Sequence, residues 1–281
     1  MEVIAVIVTF NRFSVLLETI KFLRNQTLKP GCIYVIDNCS KDETYNYFST
    51  NSSIGLEYIR LSENIGYAGA LAVGMEAAKK KYSPAYYWLL DDDSHPEENV
   101  LKELVANITM SDFAILGITG FKFSFTKKKK IISNLITEAD FVLIDNALVK
   151  SDLVNSIGFP DKEYFMMCED LDYCMRAKEK SFKVGVCSHL SVNRLHLGST
   201  GASKSIIWRS YYHARNYVFI VRRYKSLKMM IYFVASQTKF IIAALFITRR
   251  FSLVYYRICG LIHGIFGKRG ITLVPSTLKF Q

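Results

Sequence analysis

No two of the six cysteines, Cys32, Cys39, Cys168, Cys174, Cys187 and Cys259, stand at CxxC spacing. That excludes the regular framework of a disulfide-stapled domain and the ligand spacing of a structural zinc site. The thiols read instead as reduced, mostly buried small side chains. Internal repeats and low-complexity tracts are also absent. The N-terminus has no basic start, no long apolar stretch and no small-residue cleavage site, only a short run at residues 3–8 before Thr9 and Asn11. It does not read as a signal peptide, so the bulk of the chain is expected to face the cytoplasm. Acid is scarce in the last third: from Arg176 onward 19 Lys and Arg face the single acid Glu179, within a formal net charge of +11. The part before Arg176 is net acidic. A basic region of this kind is drawn to anionic lipid headgroups, diphosphates or nucleic acid.

Half of the 281 residues are apolar, enough to bury a substantial core in one main domain with a smaller appendage. A β-branched run at 3–8 precedes Thr9-Phe10-Asn11-Arg12, after which Val15, Leu16, Thr19, Ile20 and Leu23 recur at helical spacing. Lys29-Pro30-Gly31 ends that helix, and 33–36 forms a strand running into Asp37-Asn38. A third strand near 56–61 leads through Glu63-Asn64-Ile65-Gly66 to a small-residue helix over 67–81. A fourth, at 86–90, delivers Asp91-Asp92-Asp93. Alternation at this spacing predicts an α/β fold with a mostly parallel central sheet flanked by helices, its ligands gathered at the carboxyl ends of the strands. Residues 115–145 alternate like antiparallel strands around a hairpin tip at 127–130. Beyond Trp208 the chain turns aromatic, basic and apolar. Residues 227–247 are long enough to span a bilayer, yet Ser236, Gln237 and Lys239 interrupt them, and Lys225, Lys228, Arg249 and Arg250 flank them. Helices lying in the membrane interface are expected there. The boundaries drawn are 1–205 for the catalytic domain and 206–281 for a basic, aromatic helical region.

Four clusters carry chemistry. Three consecutive carboxylates at a strand end repel one another, and a hard divalent cation resolves the conflict; a solvated acidic loop capping the next helix is the competing reading. Glu169-Asp170 is entered from an apolar run and followed by a helix, so helix capping competes with general-base catalysis. A base there is expected to keep a low enough pKa to stay ionised at neutral pH. His196 precedes Gly198-Ser199-Thr200-Gly201, and an imidazole joined to carboxylates suits Mn²⁺ better than Mg²⁺. Between 208 and 216 two guanidiniums and three aromatics crowd together, with Trp208, Tyr211, Tyr212 and Arg215 on one helical face. Arginine there clamps a diphosphate while rings stack on a sugar or base, unless the helix simply packs with snorkelling arginines.

The order of these segments over residues 1–200 resembles the family-2 glycosyltransferases with the GT-A, or nucleotide-diphospho-sugar transferase, fold. The resemblance rests on Val6-Ile7-Val8-Thr9-Phe10-Asn11-Arg12, Asp37-Asn38-Cys39-Ser40, Asn64-Ile65-Gly66-Tyr67-Ala68-Gly69, Asp91-Asp92-Asp93, Glu169-Asp170 and His196. It implies a nucleoside pocket at Thr9 and Asp37 with Asn11, Arg12, Asn64 and Gly66 nearby. It further implies Asp91 and Asp92 at the diphosphate, Trp208 and Arg215 assisting, and Mn²⁺ or Mg²⁺ on Asp91, Asp93 and His196. Asp170 is then the general base of an inverting transfer and Glu169 its support. Trp88, the 208–216 helix and the 260–267 tail resemble galactofuranosyl- and rhamnosyltransferases of bacterial surface polysaccharides. That implies UDP-galactofuranose, or alternatively dTDP-rhamnose, as donor and a lipid-linked glycan such as O-antigen or capsule as acceptor. The enzyme would sit peripherally on the inner face of the cytoplasmic membrane and take no nucleic acid. A nucleotidyltransferase is the rival enzyme, but Thr9-Phe10-Asn11-Arg12 lacks the glycine of its phosphate loop. A non-catalytic nucleic-acid or membrane-binding module leaves the acidic clusters unexplained.

Overall fold

Seven consecutive buried residues make β1 (Val3–Thr9), the burial expected of a strand covered by helices on both faces. The computed structural model describes residues 2–124, 127–194 and 203–281. After β1 come α1 (Phe13–Arg24), β2 (Cys32–Asp37), α2 (Thr44–Thr50), β3 (Leu56–Arg60), α3 (Gly66–Tyr82) and β4 (Tyr86–Asp91). Next are β5 (Ser94–Pro96), α4 (Val100–Thr109), β6 (Phe113–Gly117), β7 (Gly120–Phe123), β8 (Lys128–Lys130), β9 (Thr137–Glu138), β10 (Phe141–Val142) and β11 (Ala147–Lys150). The chain continues through α5 (Ser151–Ile157), α6 (Glu169–Glu179), β12 (Lys183–Val186), β13 (Val192–Arg194), α7 (Ser203–Tyr224), α8 (Leu227–Ile242) and α9 (Phe251–Ile265).

Among the described residues the main sheet runs β3-β2-β1-β4-β11-β6-β12-β9. β1 to β4 pair in parallel, whereas β11 is antiparallel to both β4 and β6. One face is sealed by Leu16, Ile20 and Leu23 of α1 and Leu101, Leu104 and Ile108 of α4, packed with Trp88 and Ile7. On the other face Leu71 and Met75 of α3, Cys174 of α6 and Tyr217 to Ile220 of α7 share one cluster with Val6 and Leu89. The C-terminal region thus contributes apolar side chains to the main core. At α9, Gly260 and Gly264 let that helix approach α7 so closely that an added Cβ would lie 2.4 Å from Tyr211 O and 2.7 Å from Arg215 O.

The hairpin differs from the expected loop at 127–130. Lys128 to Lys130 form β8, antiparallel to β7, and the Lys128 ammonium lies 4.5 Å from the Phe121 ring centre and 5.4 Å from that of Phe141. The aromatic faces attract the Lys128 cation, and the ladder with β7 keeps the lysine run extended. α8 continues through a π-helical turn, Ala243–Ile247. Leu227–Ile247 is long and apolar enough to cross a membrane and is only 17% buried in its most apolar window. A core helix would be mostly covered, so this surface suits association with a membrane.

Candidate active site

Parallel pairing of Val8 with Asp91 and of Thr9 with Asp37 brings the ends of β4, β1 and β2 side by side. Beyond them opens a cavity of roughly 260 Å³, lined among others by Thr9, Arg12, Asn38, Asn64, Asp91, Asp92, Asp93 and Trp208. Asp92 is held from three sides. Its carboxylate accepts from Thr9 Oγ1 at 2.8 Å and from Arg12 Nη1 at 3.0 Å, and its carbonyl accepts from Thr19 Oγ1 at 2.6 Å. The same Arg12 nitrogen donates to Asp93 Oδ2 at 3.1 Å. The cation that three adjacent carboxylates demand is therefore supplied in part by the chain itself, as a charge-assisted pair. Burial still raises the Asp92 carboxyl above its ordinary value, outweighing Arg12 and Thr9.

Asn38 and Asn64 shape the adjoining wall. Asn38 Nδ2 donates to Asn64 Oδ1 at 3.0 Å, Asn38 Oδ1 accepts from the Ile65 amide, and Asn64 Oδ1 accepts from the Gly66 amide. Gly66 begins α3 at φ +82, and a Cβ there would fall 2.2 Å from Phe165 O. Its contribution is this close backbone approach rather than a cavity-lining side chain. Asp37 is fully buried, with its oxygens taken by Tyr58 Oη and the Ser40 amide; it supports the strand end behind the cavity. Asn11 turns outward and accepts from the Lys41 amide. Asn38 escaped the sequence reading as a lining residue, although its place directly after a strand was the available signal.

Arg215 does not line the cavity. It is fully buried and donates to Gly270 O, Thr272 Oγ1, Tyr164 O and Asn216 Oδ1. Its neighbour Asn216 donates from Nδ2 to Tyr164 O, Met166 O and Met167 O at 2.7 to 2.9 Å. Together they clamp a segment in which Phe165, Met167 and Cys168 all have positive φ. Such strain persists only where surrounding bonds over-determine it. The guanidinium of α7 nearer the acids is Arg209. Burial and Arg12 pull it below its ordinary value, while Asp91 and Asp93 pull it back. Spacing alone favoured Arg215 because it shares a helical stripe with Trp208; packing against the C-terminal tail claimed that stripe.

Behind a wall formed by Tyr67 and Asp91, which line both spaces, lies a second cavity of about 350 Å³. Glu169 and Asp170 open onto it at the N-terminus of α6. Both carboxyls stand above their ordinary values, but Asp170, raised to about 6, still ionises at neutral pH as a base must. Burial raises both carboxyls, and the neighbouring Asp170 charge raises Glu169 further; the Leu171 amide, which donates to Asp170 Oδ1 at 2.7 Å, offsets this only partly. Tyr67 is also raised well above its ordinary value, by burial first and then by Asp91, Asp145 and Glu169.

His196 lies outside the described residues. The described chain before it ends at Arg194, whose partner across the β13–β5 ladder is Ser94, the residue after Asp93. Among the described residues no group of three or more His, Cys, Asp or Glu side chains is placed to hold a metal. Asp91 and Asp93 do present carboxylates at alternate positions to one cavity, the oxygen donor chemistry that Mg²⁺ and Mn²⁺ favour.

The mostly parallel α/β sheet, with acids beyond its strand ends, is the architecture expected of the GT-A fold. The chain belongs to glycosyl transferase family 2, whose model matches residues 4–167, and it is a glycosyltransferase. Galactofuranosyltransferase GlfT1 of Mycolicibacterium smegmatis is 25% identical over 227 residues, covering 73% of this chain and 74% of that protein. GlfT1 of Mycobacterium tuberculosis is 26% identical over 209 residues, covering 66% and 67%. Among solved structures, S. aureus TarS 1-349 in complex with UDP-GlcNAc superposes with TM-score 0.64 at 18% identity, covering 95% of this chain and 82% of that one. The mannosyltransferase PcManGT from Pyrobaculum calidifontis, in complex with GDP-Man and Mn²⁺, gives 0.62 at 14%, covering 95% and 88%. At these identities the solved structures speak for the fold.

Proposed function

We propose that the chain transfers galactofuranose from UDP-galactofuranose, with inversion, to a hydroxyl of a lipid-linked bacterial glycan. One observation carries the reading: two cavities share the Tyr67–Asp91 wall, with the aspartate triad on one side and the Glu169–Asp170 pair on the other. The first cavity takes the nucleotide diphosphate, its base and ribose between Thr9, Asn38, Asn64 and Trp208. Arg12 and Arg209 face the diphosphate. Asp91 and Asp93, with His196, would hold Mn²⁺ or Mg²⁺, which supplies positive charge against the negative charge growing on the leaving diphosphate. In that case Arg12 keeps Asp92 and yields its hold on Asp93. From the second cavity the acceptor hydroxyl attacks the anomeric carbon on the face opposite the diphosphate. Asp170 takes the hydroxyl proton and Glu169 supports it. The sugar identity is supported by the kinship with GlfT1.

Thermal stabilisation across UDP-galactofuranose, UDP-galactose, UDP-GlcNAc, GDP-mannose and dTDP-rhamnose, each with and without Mn²⁺, tests the donor. UDP-galactofuranose with Mn²⁺ is expected to give the largest shift. A larger shift with dTDP-rhamnose reassigns the sugar, and no shift with any of them removes the reading of the first cavity.

The same proposal places the C-terminal region on the membrane surface. Exposed Leu227, Met230, Val234, Phe246 and Ile247 form the apolar face, and Lys225, Lys228, Arg249 and Arg250 supply the charge. Full-length protein is expected to co-sediment with vesicles containing a third phosphatidylglycerol and to bind pure phosphatidylcholine several-fold less. Equal indifference to both vesicles at moderate salt contradicts the placement.

A further inference from the structure

The second cavity has a wall that the transfer step as described does not use. His213 and Tyr217 stand four residues apart on one face of α7 and line it together with Tyr232, Phe123 and Phe141, in the same space as Glu169 and Asp170. Three atoms around this space, His213 Nδ1, Tyr217 Oη and Glu169 Oε2, are buried and have no hydrogen-bond partner among the described residues. One orphaned buried polar atom costs folding free energy, and three around one cavity require an explanation in what the cavity holds. The wall is also rigid. The Tyr217 ring stacks on Phe233 at 4.7 Å and 2° and on His213 at 5.8 Å, while Tyr232 and Phe123 meet at 5.1 Å.

We propose that His213 and Tyr217 bind the ring of a neutral acceptor sugar through its non-reacting hydroxyls and so determine which acceptor is used. This rests on the reading of Glu169 and Asp170 as the base pair. A sugar ring matches both halves of the lining: hydroxyls for the orphaned polar atoms, and an apolar C–H face for the aromatic rings. An alkyl chain would leave the polar atoms unsatisfied. Charge argues against an acidic sugar, because Asp91, Asp145, Glu169 and Asp170 line the space and Lys128 is the one lysine or arginine among its described lining residues. Burial, with Arg257 and Lys128 nearby, pushes His213 down to about 3. A neutral imidazole accepts a hydrogen bond at one ring nitrogen and donates at the other, which is what a hydroxyl needs.

Saturation-transfer NMR on the full chain with UDP present, using octyl β-galactoside, octyl β-glucoside, octyl α-rhamnoside and octyl β-glucuronide, tests the proposal. At least one neutral glycoside is expected to receive saturation on its ring protons, with the glucuronide weaker by about tenfold. His213→Phe and Tyr217→Phe should each weaken that glycoside by about five- to tenfold with UDP affinity unchanged. His213→Gln, which keeps a donor and an acceptor, should retain affinity within about threefold. Tyr217→Phe preserves the ring stack, so a loss there is not a folding defect. Unchanged glycoside binding in both Phe variants, saturation confined to the octyl chain, or equal binding of the glucuronide overturns the proposal. Failure to bind UDP counts against the first cavity instead, and the variants are then compared with glycoside alone.

Discussion

Asp170→Asn is expected to lower sugar transfer by about two to four orders of magnitude, the usual contribution of a positioned general base, while leaving nucleotide binding in the first cavity intact. Initial rates set beside UDP affinity separate the two effects. The pH profile carries a second signature. Because burial raises Asp170 and Glu169, the protonated acid persists to higher pH than in an ordinary carboxylate. The acid limb of kcat/KM should therefore fall above the normal carboxylate range. Linkage works in the opposite sense for stability. Groups raised in the folded state contribute stability that is complete below their unfolded pKa and lost as pH rises through the folded value. Asparagine has no charge to desolvate, so the variant should be at least as stable as the wild type near neutral pH. A well-folded Asp170→Asn protein with near wild-type transfer would refute the assignment.

Asp93→Ala should abolish the Mn²⁺ dependence of both transfer and nucleotide stabilisation, with a fall in kcat of about 10²- to 10³-fold, as when one preorganised group facing developing charge is removed. The fold should survive, because Arg12 retains its 3.0 Å bond to Asp92 and Thr9 holds the other oxygen of that carboxylate. Manganese titration followed by paramagnetic resonance reads metal affinity without reference to turnover. Unchanged affinity in the variant means that the carboxylate of Asp93 serves only to pair with Arg12.

These two residues also mark how much was legible beforehand. The ends of β1, β2 and β4 could be placed because buried parallel strands are continuous β-branched and aromatic runs, and the polar residues that stop them stand where ligands gather. Asp91 to Asp93 stand at such a strand end, whereas Glu169-Asp170 is marked by an apolar run before it and a helix after it. Arg12, assigned to the donor pocket by resemblance, proved in addition to be the cation between Asp92 and Asp93, a contact across eighty residues that no local pattern encodes. At α7 a helical stripe was correctly drawn, but a stripe does not say which layer will cover it. The residues after α9 cover Arg215, and Arg209 faces the acids instead.

By itself, then, the sequence determined the alternation of strands and helices, the family, and which acids cluster at strand ends, because periodicity and strand termination are local properties of the chain. Only the tertiary structure decided that two cavities share the Tyr67–Asp91 wall, that Arg215 and Asn216 brace the strained segment before Glu169, and that burial raises the acid pair. Burial and electrostatic environment are sums over neighbours distant in sequence, and they take a value only once the layers have closed.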